Sequence, residues 1–146
     1  DNLQEEMLRT LLKRFIITCT RIAREKFSVS HEKEKSFDIV RQYYVLVDSH
    51  FKEKKMVQDY ADMLHRSPKT LSNLFMSYGL PSPLRIIHER VEAEAKRLLL
   101  YSSKSAKEIA EILGFEDIQA FSRFFKNMTG ESITDYKKRE KIPNKE

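Results

Sequence analysis

Cysteine is almost absent from this chain, and its scarcity limits what the protein can be. Cys19 is the one cysteine among 146 residues, so neither an internal disulfide nor a zinc site built from cysteine thiolates is available. A reducing compartment, the cytoplasm, suits such a chain. The sequence also lacks a run of about 18 apolar residues, which a membrane span needs, and it shows no secretory signal. No membrane partner is expected.

Glycine and tryptophan are also scarce, with three glycines and no tryptophan in the whole sequence. Apolar residues at helical spacing recur along almost the entire chain. Because few positions favour open loops and many favour amphipathic helices, we expect an all-α protein.

Catalytic and metal-binding patterns are missing too. The four histidines are scattered. His88 and Glu92 lie one helical turn apart, but on a helix crowded with charge this spacing is more typical of an ion pair than of a metal site. There is no glycine-rich phosphate loop, and no serine nucleophile has a histidine and an acid at a known spacing. We therefore expect that the protein has no catalytic residue, binds no metal and no cofactor, and is not an enzyme.

Charge is plentiful but unevenly distributed. Lysine and arginine outnumber aspartate and glutamate by 27 to 22, which gives a net charge of +5 and a pI near 9.3. The balance is +1 over residues 1–50 and +4 over residues 51–146. This excess permits an anionic partner without requiring one, because a modest net charge mainly affects solubility.

The most informative stretch runs from Ser105 to Gly130. Ser105 with Glu108 three residues later forms a capping box, which starts a short helix. Gly114 then allows the left-handed backbone of a tight corner, and Asp117 can cap the helix that follows. Two short helices that meet at such a corner form a helix-turn-helix, whose second helix enters the DNA major groove.

The same pattern occurs once more, earlier in the chain. Ala61 matches Ala110 and Leu71 matches Phe121, so the offset is 49 residues before the corner and 50 after it. His65 takes the place of Gly114, and histidine tolerates a left-handed backbone better than most residues. Ser67-Pro68 is typical of a helix start. The repeat predicts two recognition helices, at about 68–78 and 118–128.

A long helix is predicted between the two copies, from Pro83 to about Tyr101, with Leu84, Ile87 and Val91 on its buried side. Its length of roughly 27 Å is comparable with the distance of about 34 Å between successive major-groove segments on one side of DNA. A rigid helix of this length can hold two reading elements on one face of a duplex.

Helices are also predicted at both ends of the chain. The first runs from Leu3 to about Lys26, and its apolar stripe favours packing on the next helix, with a partner-facing or dimer-forming stripe as the alternative. A polar linker, Ser28–Lys35, precedes a second helix from Ser36 whose apolar spacing includes Phe37, Val40 and Tyr44. We expect this helix to pack either on the first helix or on the part of the chain that carries the repeat. After the second copy we expect a short helix over 132–136 and a flexible tail, 141–146.

Residues 52–139 resemble the C-terminal DNA-binding domain of the AraC/XylS transcriptional regulators. The segments that carry the resemblance are IAEILGFEDIQAFSRFFKNMTG, EAKRLLLYSSKSAKE and YADMLHRSPKTLSNLF. Ile133 stands where the family usually has proline, and Tyr136-Lys137 replaces tyrosine-arginine. The resemblance implies two helix-turn-helix subdomains joined by a long central helix and preceded by two N-terminal helices.

The resemblance also implies that two parts of the chain have different functions. Residues 51–140 would bind double-stranded DNA, whereas 1–50 would be a helical linker and candidate dimerisation segment that connects to a sensor domain outside this sequence. The chain would then be a fragment of a bacterial, cytoplasmic, nucleoid-associated regulator. Homodimerisation through the N-terminal helices or the sensor domain, and contact with RNA polymerase, are further expectations.

Base contacts are expected on the outer faces of the recognition helices, near their N-terminal halves. In the second copy the outer face carries Gln119, Ser122 and Arg123; arginine suits guanine and glutamine suits adenine. By resemblance, the positions of Gln119 and Arg123 contact bases or nearby backbone. The first copy matches family base-contacting positions at Lys69, Ser72 and Asn73, with Thr70 beside a phosphate.

Phosphate contacts are expected from lysines that surround these helices. A solvated surface charge is the alternative for each of them. The candidates are Lys104, Lys107, Lys126, Lys137 and Lys138.

Two functions of different classes fit these observations. The first is a sequence-specific DNA-binding transcriptional regulator that reads two adjacent major-groove segments. The second is a helical protein–protein interaction module, in which an old duplication now serves a protein partner without base-specific DNA binding.

Overall fold

The computed structural model describes residues 2–26 and 31–141, and within these ranges the chain forms eight α-helices and no strand. The all-α prediction is confirmed. The helices are α1 (Asn2–Lys26), α2 (His31–His50), α3 (Val57–Met63), α4 (Pro68–Ser77), α5 (Pro83–Tyr101), α6 (Ala106–Ile112), α7 (Ile118–Thr129) and α8 (Ile133–Lys141). No helix in this part of the chain combines the length and the apolar character that crossing a bilayer demands.

The chain divides into two compact units, Asp1–Asp38 and Ile39–Glu146. In the first unit, α1 exposes large apolar side chains along much of its length; Leu8, Leu11 and Phe15 are 54–69% exposed. The expectation that this stripe packs against the following helix is therefore wrong for these side chains. The Thr20 hydroxyl donates a hydrogen bond of 2.8 Å to the Ile16 carbonyl, within the helix.

The second helix begins earlier than predicted. Residues 31–35, which the sequence predicts to be part of a polar linker, are helical and extend α2 to His31. Residues 28–30 of that linker lie outside the described part of the chain. The reason is that lysine and glutamate, although polar, are good helix formers. Polarity alone does not indicate a loop.

The second half of α2 belongs to the second unit. Val40, Tyr43 and Val47 are buried there, whereas Tyr44 and Phe37, which the sequence placed on the apolar face, are 41% and 44% exposed. The Tyr43 hydroxyl donates to the Pro83 carbonyl at 2.7 Å. The packed unit thus includes part of the segment that was expected to be a linker. That DNA binding is confined to residues 51–140 stays a prediction.

The first helix-turn-helix consists of α3 and α4. His65 occupies the corner with φ +53°, as its match with Gly114 predicted. Tyr60, Leu71 and Phe75 are fully buried beneath the pair. The Tyr43 ring from α2 meets Phe75 edge-on, with ring centroids 5.0 Å apart, so α2 completes this subdomain.

The central helix α5 contacts both subdomains. It packs against α3 and α4 of the first and against α6, α7 and α8 of the remainder. Ile87 and Val91 are buried as predicted, but Leu84 is 44% exposed and Ile86 is buried instead. Helical spacing does not determine which side chains of a first turn meet neighbours, because that depends on the packing of other elements.

The second helix-turn-helix consists of α6 and α7, with Gly114 at the corner (φ +75°). Phe121 and Phe125 are fully buried, and the Phe115 ring lies 5.3 Å from Phe121. The last helix, α8, continues to Lys141 instead of ending near residue 136, so residue 141 is not part of a tail. Residues 142–146 lie outside the described part of the chain.

Candidate nucleic-acid interface

Both recognition helices start at a side-chain cap. The Thr70 N–H donates to Ser67 Oγ at 3.1 Å, and the Ala120 N–H donates to Asp117 Oδ1 at 2.7 Å. Each cap satisfies a backbone amide that the first helical turn leaves without an intrahelical partner. The caps thereby fix where α4 and α7 begin, and with that the direction in which their first-turn side chains point.

The outer face of α4 is polar. The predicted residues Lys69, Thr70, Ser72 and Asn73 are all exposed, whereas Leu71 on the opposite face is fully buried. The Thr70 hydroxyl lies 2.8 Å from Ser67 Oγ, which links it to the cap. These side chains therefore form one continuous exposed surface, and this surface lies on the N-terminal half of the helix.

Met76 extends the surface of α4 and was not among the predicted site residues. Its side chain is 75% exposed, on a helix whose Leu71 and Phe75 are fully buried. The signal that could have found it is helical spacing, since Met76 follows Ser72 by four residues and Asn73 by three. An exposed methionine beside polar readers could contact a thymine methyl group, because that group is the apolar feature of the major groove.

The outer face of α7 has the same arrangement. Gln119 and Arg123 are exposed one turn apart, Ser122 between them is half-buried, and Phe121 and Phe125 fill the core behind. The two longest polar side chains of this face are therefore free to reach outward from the N-terminal half of the helix, where base contacts are made in helix-turn-helix proteins.

The predicted phosphate-binding lysines fall in three places. Lys104 and Lys107 flank Ser105 at the start of α6, Lys126 lies in the last turn of α7, and Lys137 with Lys138 lies on α8. Lys137 is half-buried and the other four are exposed. The start of α6 is fixed by the predicted capping box, in which the Glu108 N–H donates to Ser105 Oγ at 3.2 Å and the Ser105 N–H donates to Glu108 at 2.6 Å.

Hydrogen bonds from Ser105 hold the Glu108 carboxylate in place and lower its pKa. Arg139 on α8 donates to Glu131 at 2.7 Å and to Glu140 at 2.6 Å, so this cation is engaged by carboxylates. Lys137, Lys138 and Lys141 are further cations on the same helix.

The histidine that was considered as a metal ligand has a structural role. The His88 ring meets Phe124 edge-on at 5.5 Å, and burial lowers the pKa of the imidazole. Glu92 pairs with Lys96 at 2.6 Å, so the predicted His88–Glu92 ion pair is wrong. Within residues 7–23 and 33–141, where side chains are described, no group of three or more metal-binding side chains is found.

Comparison with known proteins identifies the family. A helix-turn-helix domain model of the AraC type matches residues 60–139, more than half of the chain. The chain belongs to the AraC family of transcriptional regulators. It is 29% identical over 117 residues to the HTH-type transcriptional regulator YisR of Bacillus subtilis, a match that covers 80% of this chain and 40% of YisR.

Solved AraC-family domains have the same fold. The C-terminal domain of AraT, a response regulator from Geobacillus stearothermophilus, is 27% identical with a TM-score of 0.65, over 74% of this chain and 90% of that domain. The DNA-binding domain of AdpA, solved with a target DNA, is 25% identical with a TM-score of 0.60, over 75% and 96%. The chain spans less than half the length of the curated relatives that it matches.

Proposed function

We propose that this AraC-family chain binds double-stranded DNA by inserting α4 and α7 into two adjacent major-groove segments of one duplex. The observation that carries the proposal is the common support of the two helices. Both pack on α5 within one compact unit, and both present a polar face behind which aromatic side chains are buried. At 19 residues, α5 is about 28 Å long, comparable with the groove repeat of about 34 Å.

Specific roles follow from side-chain chemistry. Arg123 can donate two hydrogen bonds to guanine O6 and N7, and Gln119 or Asn73 can pair with adenine. Lys69, Ser72 and Ser122 would make further base or backbone contacts, and Thr70 would lie beside a phosphate. The five lysines named above would neutralise phosphates, together with backbone amides at the helix starts. The related AdpA domain was solved in complex with a target DNA, which supports DNA as the partner of this chain.

The decisive test removes two base contacts at once. Binding sites are first selected from random duplexes with the wild-type chain, and affinity is then measured for Gln119→Ala/Arg123→Ala. Since a good bidentate base contact is worth about 1–3 kcal/mol, we expect specific affinity to fall at least about 30-fold. The control is Gln42→Ala/Arg41→Ala, which removes the same residue types from exposed positions on α2. Unchanged specific affinity in a folded Gln119→Ala/Arg123→Ala variant would contradict base reading by α7.

The alternative class, a helical protein–protein interaction module, is not favoured, because the family is one of transcriptional regulators and a related domain was solved on DNA. The family as a whole is not enzymatic, although one relative, AdaA of Bacillus subtilis, is named a bifunctional transcriptional activator and DNA repair enzyme. We propose no catalytic activity for this chain.

We further propose that α1 mediates homodimerisation, because it exposes Leu8, Leu11 and Phe15 on one stripe. Sedimentation velocity should show a dimer for the wild-type chain and a monomer for Leu11→Glu/Phe15→Glu, because two buried carboxylates would oppose pairing of the stripes. Thr10→Glu, which lies outside this stripe of α1, is the control and should leave the dimer intact. A wild-type monomer at high concentration would contradict the proposal.

Location and partners in the cell are proposals as well. We infer action on nucleoid DNA in the bacterial cytoplasm, with RNA polymerase as the partner in regulation. The support is that the relatives are transcriptional regulators of bacteria. Recovery of chromosomal DNA and RNA polymerase with the cross-linked protein is the corresponding test.

A further inference from the structure

Lys55 lies between α2 and α3, and its ammonium group connects two distant parts of the chain. It donates hydrogen bonds to the carbonyl oxygens of Phe51 at 3.3 Å and of Lys52 at 2.7 Å. It also donates to the carbonyl of Leu113, 58 residues further along. Leu113 is the C-cap residue that follows α6, at the corner of the second helix-turn-helix. Lys55 therefore bridges the entry to the first subdomain and the corner of the second.

The chemistry of these contacts suits an ammonium group. A lysine has three N–H donors and no acceptor, and here all three are accepted by backbone oxygens. The oxygens follow the ends of α2 and α6, and carbonyl groups at helix C-termini carry partial negative charge. The Nζ atom also lies 5.2 Å from the centre of the Phe115 ring, a favourable position for a cation. Burial lowers the pKa of Lys55, as expected for a group partly removed from water.

The backbone makes the same connection beside the lysine. A Cβ atom added to Gly114 would overlap the Lys52 carbonyl oxygen, so the corner of the second subdomain lies directly against the segment that follows α2. A larger residue at the corner would push these two segments apart. The ammonium bridge and the close backbone approach therefore act at one joint, which we call the Lys55 joint.

We propose that Lys55 is a positioning residue that fixes α7 relative to α4. Both subdomains pack on α5, and the Lys55 joint adds an attachment beside that helix, which restrains rotation of the second subdomain about it. Its consequence for DNA rests on the proposed function: a chain with a firm joint binds two half-sites at one separation much better than at others.

The geometry is tested without DNA by measuring the distance between α4 and α7. Spin labels are placed at Met76→Cys and Asn127→Cys in a Cys19→Ser background, since all three positions are exposed. We expect one narrow distance distribution for this protein and a broadened or shifted one when Lys55→Met is added. Lys54→Met, which removes a neighbouring ammonium, should leave the distribution unchanged. A Lys55→Met distribution that superimposes on that of the parent would overturn the proposal.

The functional consequence is measured on selected half-sites joined at separations that increase by single base pairs. Parent protein should favour one separation by at least about tenfold, and Lys55→Met should lose most of that preference while its affinity for a single half-site is retained. A general loss of stability would instead weaken binding to single half-sites and to joined half-sites alike. If Lys55→Met keeps the preference for one separation, the proposed role of Lys55 is wrong. Failure to bind any duplex would refute the proposed function, while the spin-label distances would still decide the role of the joint.

A measurement on the wild-type chain covers the case in which Lys55→Met does not fold. The ammonium protons of Lys55, held by three carbonyls, should exchange slowly with water and give an observable nitrogen–proton NMR signal. Those of Lys54, whose nearest carboxylate oxygen is 3.9 Å away on Asp59, should exchange rapidly. Equal exchange at the two lysines would overturn the proposal.

Discussion

Gly114 meets two separate demands at the corner of the second helix-turn-helix. Its φ of +75° is a conformation that side chains with a Cβ disfavour. It also lies against the Lys52 carbonyl, where no Cβ fits. Gly130, at the end of α7, has a similar φ of +81° but open space around it. Substitutions at these two glycines therefore distinguish the cost of a left-handed backbone from the added cost of close packing.

We expect Gly114→Ala to destabilise the protein more than Gly130→Ala. The cost at Gly130 should be about 1–2 kcal/mol, which is the strain of a left-handed alanine. The cost at Gly114 should exceed this, because the α6–α7 corner must also move away from the segment after α2. Urea denaturation of both variants gives the comparison. Equal costs would mean that the corner accommodates a methyl group without displacement.

Single residues with local roles were predictable from the sequence, and those with distant partners were not. Ser67, Ser105 and Asp117 are caps because of the residues within three positions of them. Lys55 shows no such pattern, since its carbonyl partner at Leu113 belongs to another subdomain. The exposure of Gln119 and Arg123 followed from helical spacing, but their contacts with bases remain predictions.

At the scale of helices, a charged cluster ties α5 to α2. Glu94 on α5 accepts two hydrogen bonds from Arg97, at 2.7 and 2.9 Å, and lies 3.8 Å from Arg90. Arg90 also donates to Asp48 of α2 at 2.6 Å, and its guanidinium lies 4.1 Å from the centre of the Phe51 ring. The buried carboxylate is thus neutralised on its own helix and fixes a cation that reaches α2.

This cluster predicts a dependence of stability on pH. The Arg97 hydrogen bonds, with the charges of Arg97, Arg90 and Lys52, lower the pKa of Glu94 below its usual 4.5. A carboxyl whose pKa is lowered in the folded state stabilises that state above pH 4.5, and this contribution is lost as the pH falls through the lowered pKa. The free energy of unfolding lost in Glu94→Gln should therefore be largest at neutral pH and shrink below about pH 4.5.

Urea titrations at a series of pH values measure this difference. Glu111→Gln, which removes an exposed carboxylate from α6, gives the baseline for loss of one negative charge. A Glu94→Gln deficit that stays constant down to pH 3 would show that the deficit does not come from ionised Glu94.

Helix boundaries were predictable where cap residues mark them. The starts of α4, α5, α6 and α7 each follow a serine or aspartate that accepts a backbone hydrogen bond. The predicted start of α2 and the predicted end of α8 were wrong, because lysine and glutamate favour a helix and do not mark where it begins or ends. The exposure of Leu84 and Tyr44 has a similar cause. Helical spacing predicts which face of a helix is apolar, but it does not predict which other elements pack on that face.

At the scale of the whole molecule, DNA binding should depend steeply on salt. Each neutralised phosphate contributes about −0.9 to the slope of log affinity against log salt concentration, so five lysine contacts would give a slope of about −4 to −5. Substituting Lys104 or Lys126 by alanine should make the slope shallower by about 0.9, without changing which duplex is preferred. Filter binding between 50 and about 200 mM salt measures this. A slope near zero would exclude phosphate neutralisation.

The overall architecture was predictable because the sequence pattern of the helix-turn-helix occurs twice in the chain. Each copy has a cap, a corner and an amphipathic second helix, and the long helix between them could be recognised by its apolar spacing. The sequence left open whether α2 packs on the first helix or on the part of the chain that carries the repeat, and the structure shows it beneath the first subdomain. This packing depends on Tyr43 meeting Tyr60 and Phe75, rings supplied by separate helices.

The two reading helices follow one another along a single polypeptide and carry different side chains. Lys69, Ser72 and Asn73 on α4 have no identical set among Gln119, Ser122 and Arg123 on α7. A site that accommodates both helices of one chain therefore has no dyad axis, and it can be bound in one orientation only. Under the proposed mode of binding, one such chain would lie on DNA with a defined polarity, so reversing its site would turn the same bound surface from one flanking gene toward the other.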